Sequence, residues 1–425
     1  MHIEELYQLF LQNPSVQTDT RKLTAGDLYF ALKGENFNGN RFAVQALAKG
    51  AAHTIVDEEI ELVDHRIIKV EDVLQTLQQL AKYHRQQFNI PFIAITGSNG
   101  KTTTKELMHA VLSSHFKTYT TEGNFNNHIG IPLTLLKIKA DAEIAVVEMG
   151  ANHQKEIAAY CKYTLPTHGL INNVGKAHLE GFGGIEGVKK GKGELFDFIR
   201  KINGCIFINT DLDYLQEMSK GISNKITYGT KNAQTTGRLI SSEPFIFVKI
   251  ESDDSVGEIK THLVGDYNLP NVLAAVSVGL HFGVPSDKIK SSIENYQPSN
   301  SRSQLVEKDT NKIILDAYNA NPSSMKLAIE NFAKLPAEKK VLMLGGMAEL
   351  GEESLAEHQA IVNLIQTFNW SNVVLVGGDF AKINHACIYF STSLEARQWF
   401  QQQQFKQTHL LIKGSRSMKM EQILI

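Results

Sequence analysis

Thr96-Gly97-Ser98-Asn99-Gly100-Lys101-Thr102-Thr103 follows the apolar stretch Phe92-Ile-Ala-Ile95 and precedes a segment with helical spacing at Leu107, Val111 and Leu112. A buried strand, a glycine-bearing turn and a helix opening on Lys-Thr together predict a phosphate-binding loop. Glycines let backbone N–H groups turn toward phosphate oxygens, and the helix N-terminus adds partial positive charge. Lys101 would reach the β- and γ-phosphates and the Thr102 hydroxyl would coordinate Mg²⁺. The usual spacing asks for glycine at position 95, where Ile95 stands, so the loop is a variant whose first glycine is Gly97. A chance glycine-rich turn would not be expected to bring strand, Lys-Thr and helix with it.

Outward from that loop, apolar segments at 92–96, 144–148, 169–173 and 205–209 each end in polar residues, with helical stretches between some of them. Such alternation predicts a mostly parallel sheet covered by helices, with ligands beyond the strands' C-terminal ends. Residues 223–264 read as antiparallel hairpins appended to it, followed by a helix over 269–282. Before the loop, helical spacing over 3–11, a short strand at 28–32 and a helix over 73–88 form a smaller unit that Asn89-Ile90-Pro91 closes. After it, strands at 312–317, 340–344, 372–377 and 409–413 alternate with helices at 323–334, 353–368 and 393–405. The class is therefore α/β in three domains: a small N-terminal domain (1–88), a central loop-bearing domain with a mostly parallel sheet (89–298), and a doubly wound, Rossmann-like C-terminal domain (299–425).

The length agrees: 425 residues, at roughly 150 per domain, make about three. Lys plus Arg number 43 against 45 Asp plus Glu, a net charge of −2, which argues against a general nucleic-acid or anionic-membrane binder. No apolar run approaches a membrane span, and the N-terminus lacks the pattern of a signal peptide. Cys161, Cys205 and Cys387 are far apart and contain no CxxC pair, as expected for buried thiols in a reducing compartment. Cytoplasmic location follows as the expectation.

Three more segments carry candidate chemistry. Glu148 ends a buried strand, where a carboxylate is either solvated or placed to hold a metal beside the loop. His178 lies in Asn172-Asn-Val-Gly-Lys-Ala-His-Leu-Glu-Gly181, and Asn124, Asn126 and Asn127 form an amide cluster that either caps turns or binds a polar substrate. Lys189, Lys190 and Lys192 fall within four residues; for the first two, a solvated helix end is the simplest reading.

Together these residues resemble the Mur ligases, ATP-dependent amide ligases that build the peptidoglycan stem peptide, and the resemblance covers essentially the whole chain. The family's loop matches 96–102, its metal glutamate Glu148, and its histidine His178 in NVGKAHLEGFG. Its carbamylated lysine falls on Lys192, and its third-domain arginine on Arg302. The GxxNxxN segment, near adenine in relatives, matches Gly265 to Asn271 and includes Asn268; the DxYNANP signature starts at Asp316 and includes Asn319. Residues 18–34, with Thr20 and Arg21, resemble the uridine-nucleotide module. Gly345-Gly-Met-Ala-Glu-Leu-Gly-Glu-Glu353 and Leu411-Ile-Lys-Gly-Ser-Arg416, with Lys413, Ser415 and Arg416, resemble segments of the branch that adds a dipeptide.

The resemblance implies ATP and two Mg²⁺ ions as cofactors, with Thr102, Glu148, His178 and carbamylated Lys192 as metal ligands. Lys101, Glu148, His178 and Lys192 would form the catalytic set. Thr96 through Thr103, Asn268, Asn271, Arg302, Asp316 and Asn319 would bind ATP. Thr20, Arg21, Asn124, Asn126, Asn127, Lys413, Ser415 and Arg416 would bind substrates, which are UDP-N-acetylmuramoyl-tripeptide and D-alanyl-D-alanine. A monomer is expected, without nucleic acid or membrane insertion. Two departures stand out: Gly346 where Asp is usual, and Asn40 where His is common. The alternatives are a relative adding diaminopimelate or glutamate, a non-catalytic binding homologue and, less favoured by the charge, a nucleic-acid-dependent ATPase.

Overall fold

The computed structural model describes residues 1–298 and 301–425. The expected domain boundary at 298/299 touches Ser299, which lies outside them. The chain gathers into two compact units: one made of 1–95, 116–150 and 156–169, the other of 96–115, 151–155 and 170–425.

In the first unit, strands Val16–Gln17, Leu28–Phe30, His53–Val56 and Ile67–Lys69 form a four-stranded sheet, parallel throughout. Phe92–Thr96 pairs in parallel with Ile144–Glu148, which pairs with Thr118–Thr120. Phe92–Thr96 and Ile144–Glu148 are buried at every position, which is why they read as unbroken apolar runs rather than as alternation.

The helix Val73–Arg85 packs against Ile3–Gln12, Gly130–Leu136 and Glu156–Thr164. Asp72 caps its start, accepting from the Gln75 N–H at 2.8 Å. Its last residue, Arg85, is buried, and its guanidinium donates to the carbonyls of Thr164, Leu165 and Phe88 at 2.9–3.0 Å while lying 3.6 Å from the Phe92 ring centre. Burial pushes the Arg85 guanidinium down to about 10. Arg85 thereby ties the helix end to the root of the strand that runs into the glycine loop. Truncating it leaves one buried and two half-buried carbonyls without this donor and empties a buried site, so Arg85→Ala should lower unfolding stability by about 3 kcal/mol in urea titrations. A change below about 1 kcal/mol would contradict this role.

The second unit begins with the glycine loop and its helix Lys101–Ser113, against which Leu269–His281 and Ser286–Asn295 pack. The strand Asn224–Gly229 differs from the hairpin expectation: it pairs in parallel with Cys205–Asn209, through a crossover carrying the helix Asp213–Met218. Only the segments after it turn antiparallel, Thr235–Ser241 with Phe247–Ile250 and the latter with Glu258–Lys260. The short segment NKITYG is too weakly patterned to distinguish the two pairings.

A six-stranded sheet completes this unit in the order Gln304–Lys308, Asn311–Asp316, His409–Lys413, Lys340–Gly345, Asn372–Val376 and Ile388–Phe390. The first pair is antiparallel and the rest are parallel, with helices Pro322–Lys334, Ser354–Ile365 and Ser393–Gln403 between strands. Two edge strands, Gln304–Lys308 and Ile388–Phe390, carry no fully buried residue, and the sequence reading did not identify them. Asp316 and Lys413 are register partners at the C-terminal ends of adjacent strands, which sets two expected site residues side by side.

Candidate functional site

The glycine loop is built as a cradle. Gly97 (φ +147°) and Gly100 (φ +80°) take backbone conformations that side chains disfavour. A Cβ at Gly97 would lie 2.9 Å from the Cβ of Asn172, and one at Gly100 2.7 Å from Asn271 Oδ1. Asn173 braces the loop: its carbonyl accepts from the Ser98 N–H, its Oδ1 from the Asn99 N–H, and its Nδ2 donates to the Asn99 carbonyl, at 2.9–3.1 Å. The N–H groups of Ser98 and Asn99 thus hold the loop's shape, and the donors at the start of Lys101–Ser113 are the ones placed for an anion. Lys101 Nζ donates to the Gly97 carbonyl at 2.6 Å, curled over the loop it would serve, and Thr102 is buried just behind.

A chain of buried amides backs this cradle. Asn172 Nδ2 donates to Thr104 Oγ1 at 2.7 Å, Thr104 Oγ1 donates to Asn271 Oδ1 at 3.0 Å, and Asn271 Nδ2 donates to Asn268 Oδ1 at 2.8 Å. Asn268 Nδ2 ends the chain on the Val264 carbonyl. Two residues expected to bind nucleotide, Asn268 and Asn271, therefore also fix the loop from behind.

From the 301–425 stretch, Asn321 Nδ2 reaches the Asn99 side-chain oxygen at 2.8 Å, and the Ser323 hydroxyl accepts from the Lys176 N–H at 3.0 Å. Lys176 pairs with Glu357, and His178 Nδ1 with Glu349. The hydrogen bond from His178 holds the Glu349 carboxyl below the usual carboxylate range. Asp316 pairs with Lys413, whose Nζ is also 3.4 Å from the Asn319 carbonyl; Lys413 is buried, a cation kept by its partner. Arg302 stacks on Tyr318, 3.5 Å from the ring centre. Ser415 accepts from the Ala348 N–H at 2.9 Å. Arg416 is exposed and pairs with Glu421.

Lys192 is 1% exposed, with Nζ 3.1 Å from the Ala151 carbonyl and 5.0 Å from the Phe182 ring centre. Lys190 is exposed and Lys189 half-buried, so the three lysines are not alike. The solvated helix-end reading given to Lys189 and Lys190 suits the exposed Lys190 and only in part the half-buried Lys189.

In the first unit, Glu148 is 1% exposed rather than solvated, and its Oε1 accepts from Asn126 Nδ2 at 2.7 Å. A Cβ at Gly150 would strike that same Asn126 side chain at 2.9 Å. Asn127 caps a turn, its Oδ1 accepting from the Ile129 and Gly130 N–H groups, and Asn124 is exposed. Arg21 is exposed, with its guanidinium on Asp19 at 2.8 Å; that hydrogen bond holds the Asp19 carboxyl at about 2. The Thr20 carbonyl accepts from Lys49 Nζ.

Both departures from the resemblance have a structural setting. Asn40 is buried and bound reciprocally to Asp57: its Nδ2 donates to Asp57 Oδ1 at 2.8 Å and its Oδ1 accepts from the Asp57 N–H at 3.0 Å. Gly346 crosses Gly378 so closely that a Cβ would lie 2.7 Å from the Gly378 Cα, so this backbone leaves no space for a side chain there. Sequence reasoning missed Asn172 and Asn173 as loop braces, and Asn321, Ser323, Glu349 and Glu357 as partners from the 301–425 stretch. Asn172, Asn173, Asn321 and Glu349 sat in quoted motifs, and none had been assigned a role.

The loop fits a nucleoside triphosphate by its chemistry: a glycine cradle at a helix start, a lysine and a buried threonine hydroxyl. Glu148, in the first unit, is a buried carboxylate of the kind a divalent cation takes. Among the described residues, no helix is long and apolar enough to cross a membrane. Family descriptions match three successive stretches: "Mur ligase family, catalytic domain" over 14–85, "Mur ligase middle domain" over 95–279 and "Mur ligase, glutamate ligase domain" over 301–416. Curated relatives named UDP-N-acetylmuramoyl-tripeptide--D-alanyl-D-alanine ligase include those of Escherichia coli (37% identical; 96% of this chain, 92% of the relative) and Haemophilus influenzae (36%; 97% and 93%). Among solved structures, MurF from Acinetobacter baumannii superposes with a TM-score of 0.88 at 30% identity, covering 98% of this chain and 97% of that one. MurF ligase from Thermotoga maritima in complex with ADP gives 0.88 at 27%, covering 97% of each chain.

Proposed function

The chain belongs to the Mur ligase family, and from that premise we infer that it joins D-alanyl-D-alanine to UDP-N-acetylmuramoyl-tripeptide in peptidoglycan precursor synthesis. It is an ATP-dependent, amide-bond-forming ligase. The observation that carries the substrate assignment is 36–37% identity over nearly the full length to ligases named for that reaction.

The three-domain division at 1–88, 89–298 and 299–425 is part of the proposal, as are a monomer and a cytoplasmic location. A carboxylate is a poor electrophile, since oxide would have to leave. In the proposed sequence the tripeptide's terminal carboxylate oxygen attacks the γ-phosphorus of ATP, ADP departs, and an acyl phosphate forms. The amine of D-alanyl-D-alanine then attacks the acyl carbon and gives up a proton, and phosphate leaves with its electron pair.

The protein's part is placement and charge. Lys101 and the N–H groups at the start of Lys101–Ser113 neutralise the transferring phosphoryl group. A divalent cation, when bound, adds charge neutralisation at the phosphates and the acceptor carboxylate. Thr102 and Glu148 are the proposed ligands of one such cation, and His178, Glu148 and Lys192, as a carbamate, those of a second. Burial supports that state for Lys192, since a lysine with almost no solvent would carry its ammonium at a desolvation cost. Asn268, Asn271, Arg302, Asp316 and Asn319 are assigned to ATP. Thr20, Arg21, Asn124, Asn126, Asn127, Lys413, Ser415 and Arg416 are assigned to the two substrates.

A coupled ADP-release assay tests the assignment. Turnover requiring both UDP-muramoyl-tripeptide and D-alanyl-D-alanine is expected; ATP turnover driven by diaminopimelate, glutamate or nucleic acid instead would overturn it. Arg21 gives a finer test of the first unit's role. Exposed, and assigned to the uridine nucleotide rather than to the reacting groups, it would hold that nucleotide equally in ground and transition states. Arg21→Ala should therefore raise the KM for the UDP substrate by about tenfold and leave kcat within about twofold. A loss confined to kcat would reject this placement.

A further inference from the structure

The pairing of His178 with Glu349 has no part in the reaction as described above, yet the fold builds it with care. His178 holds a left-handed backbone (φ 54°), as does Glu349 (φ 62°), so each side chain is aimed from a strained turn. The turn bearing Glu349 is pinned on both sides. His358, fully buried, accepts the Met347 N–H on Nε2 at 3.0 Å, and Ser415 Oγ accepts the Ala348 N–H at 2.9 Å. The His178 segment is pinned too, through the Lys176 N–H on Ser323, the Lys176–Glu357 pair and the Glu180 N–H on the Glu349 carbonyl at 3.3 Å. Gly351 (φ +56°) leaves the clearance for this approach: a Cβ there would lie 3.2 Å from Glu180 Cβ. Two pinned segments, 171 residues apart in sequence, thus bring one carboxylate to one ring nitrogen.

The two nitrogens of an imidazole are not equivalent once one is engaged. A carboxylate accepts only, so its partner nitrogen must carry the proton, and the other nitrogen is left with its lone pair. We propose that Glu349 is a positioning residue: by accepting the Nδ1–H of His178 it fixes the tautomer whose Nε2 can bind a divalent cation. This rests on the reading of His178 as a metal ligand, and it gives the 301–425 stretch a hand in preparing that ligand. Imidazole is the softest donor in a set otherwise made of oxygens, so it gains most from an outer carboxylate that raises its basicity.

The test reads the metal-free protein first. ¹⁵N spectra of histidine-labelled chain are recorded well above the ordinary imidazole range, with the His178 signals assigned by their loss in His178→Gln. The expected pattern is Nδ1 protonated and Nε2 bare in the wild type, shifting toward Nε2–H in Glu349→Ala. Mn²⁺ titration followed by electron paramagnetic resonance, without turnover, should show affinity weakened by about tenfold or more in Glu349→Ala, with Glu349→Gln intermediate because its amide oxygen still accepts. Wild-type His178 in any other tautomer, or Mn²⁺ affinity within twofold in a Glu349→Ala protein of native circular dichroism, overturns the proposal. His178→Gln separates the two ideas: if it leaves Mn²⁺ affinity unchanged, the ligand reading fails and this proposal with it. If His178→Gln weakens Mn²⁺ and Glu349→Ala does not, only the role of Glu349 fails.

Discussion

Lys101→Ala should lower turnover by about a thousandfold or more while the protein stays folded. The side chain is the loop's one cation. It lies curled over the Gly97 and Ser98 carbonyls, 2.6 and 3.4 Å away. What it offers is a positive charge at the mouth of a cradle whose other donors are backbone N–H groups. A phosphoryl group in transfer spreads charge over its oxygens, and one preorganised donor in such a site accounts for about 10²–10³ in rate, more when it is charged. Activity within tenfold of wild type, in a variant with unchanged thermal unfolding, would mean that the phosphate site lies elsewhere.

Lys192→Ala should remove most activity, and acetate should restore part of it. This residue is 1% exposed on the helix Ile185–Lys201, whereas Lys190 on the same helix faces solvent. A carbamate brings negative charge and two oxygens to a hard cation, where a bare ammonium would be repelled. A small carboxylate entering the vacated space can replace those oxygens, while added chloride at the same ionic strength cannot. Lys190→Ala, at the solvated position, should stay within about twofold of wild type. Full activity in Lys192→Ala, or no difference between acetate and chloride, would remove the lysine from the metal site and leave the family membership intact.

The parts of the molecule that could be read in the sequence are those where one physical demand dominates a contiguous stretch. Phe92–Thr96 and Ile144–Glu148 are buried on both faces, so their apolar runs stand out, and the loop between strand and helix needs glycine where the backbone turns left-handed. The edge strands Gln304–Lys308 and Ile388–Phe390 escaped because half-buried edges carry little pattern. The parallel pairing of Asn224–Gly229 escaped because six residues cannot declare their direction. Candidate ligands at strand ends were legible one by one. The groups that orient them were not: Asn173 meets Asn99 from 74 positions away, and Glu349 meets His178 from 171. Only a folded chain shows that Asn268 and Asn271 form part of a buried amide relay behind the cradle, or that Gly346 is fixed by its crossing with Gly378.

The central claim is that ATP activates the tripeptide's carboxylate for attack by the dipeptide amine, and the fate of one oxygen tests it most directly. UDP-muramoyl-tripeptide labelled with ¹⁸O in both oxygens of the accepting carboxylate is turned over with unlabelled ATP and D-alanyl-D-alanine, and the released phosphate is weighed by mass spectrometry. Because the carboxylate oxygen that attacks phosphorus leaves with it, each phosphate should carry one ¹⁸O and the new amide should keep the other. Unlabelled phosphate accompanying a fully formed amide would contradict the account.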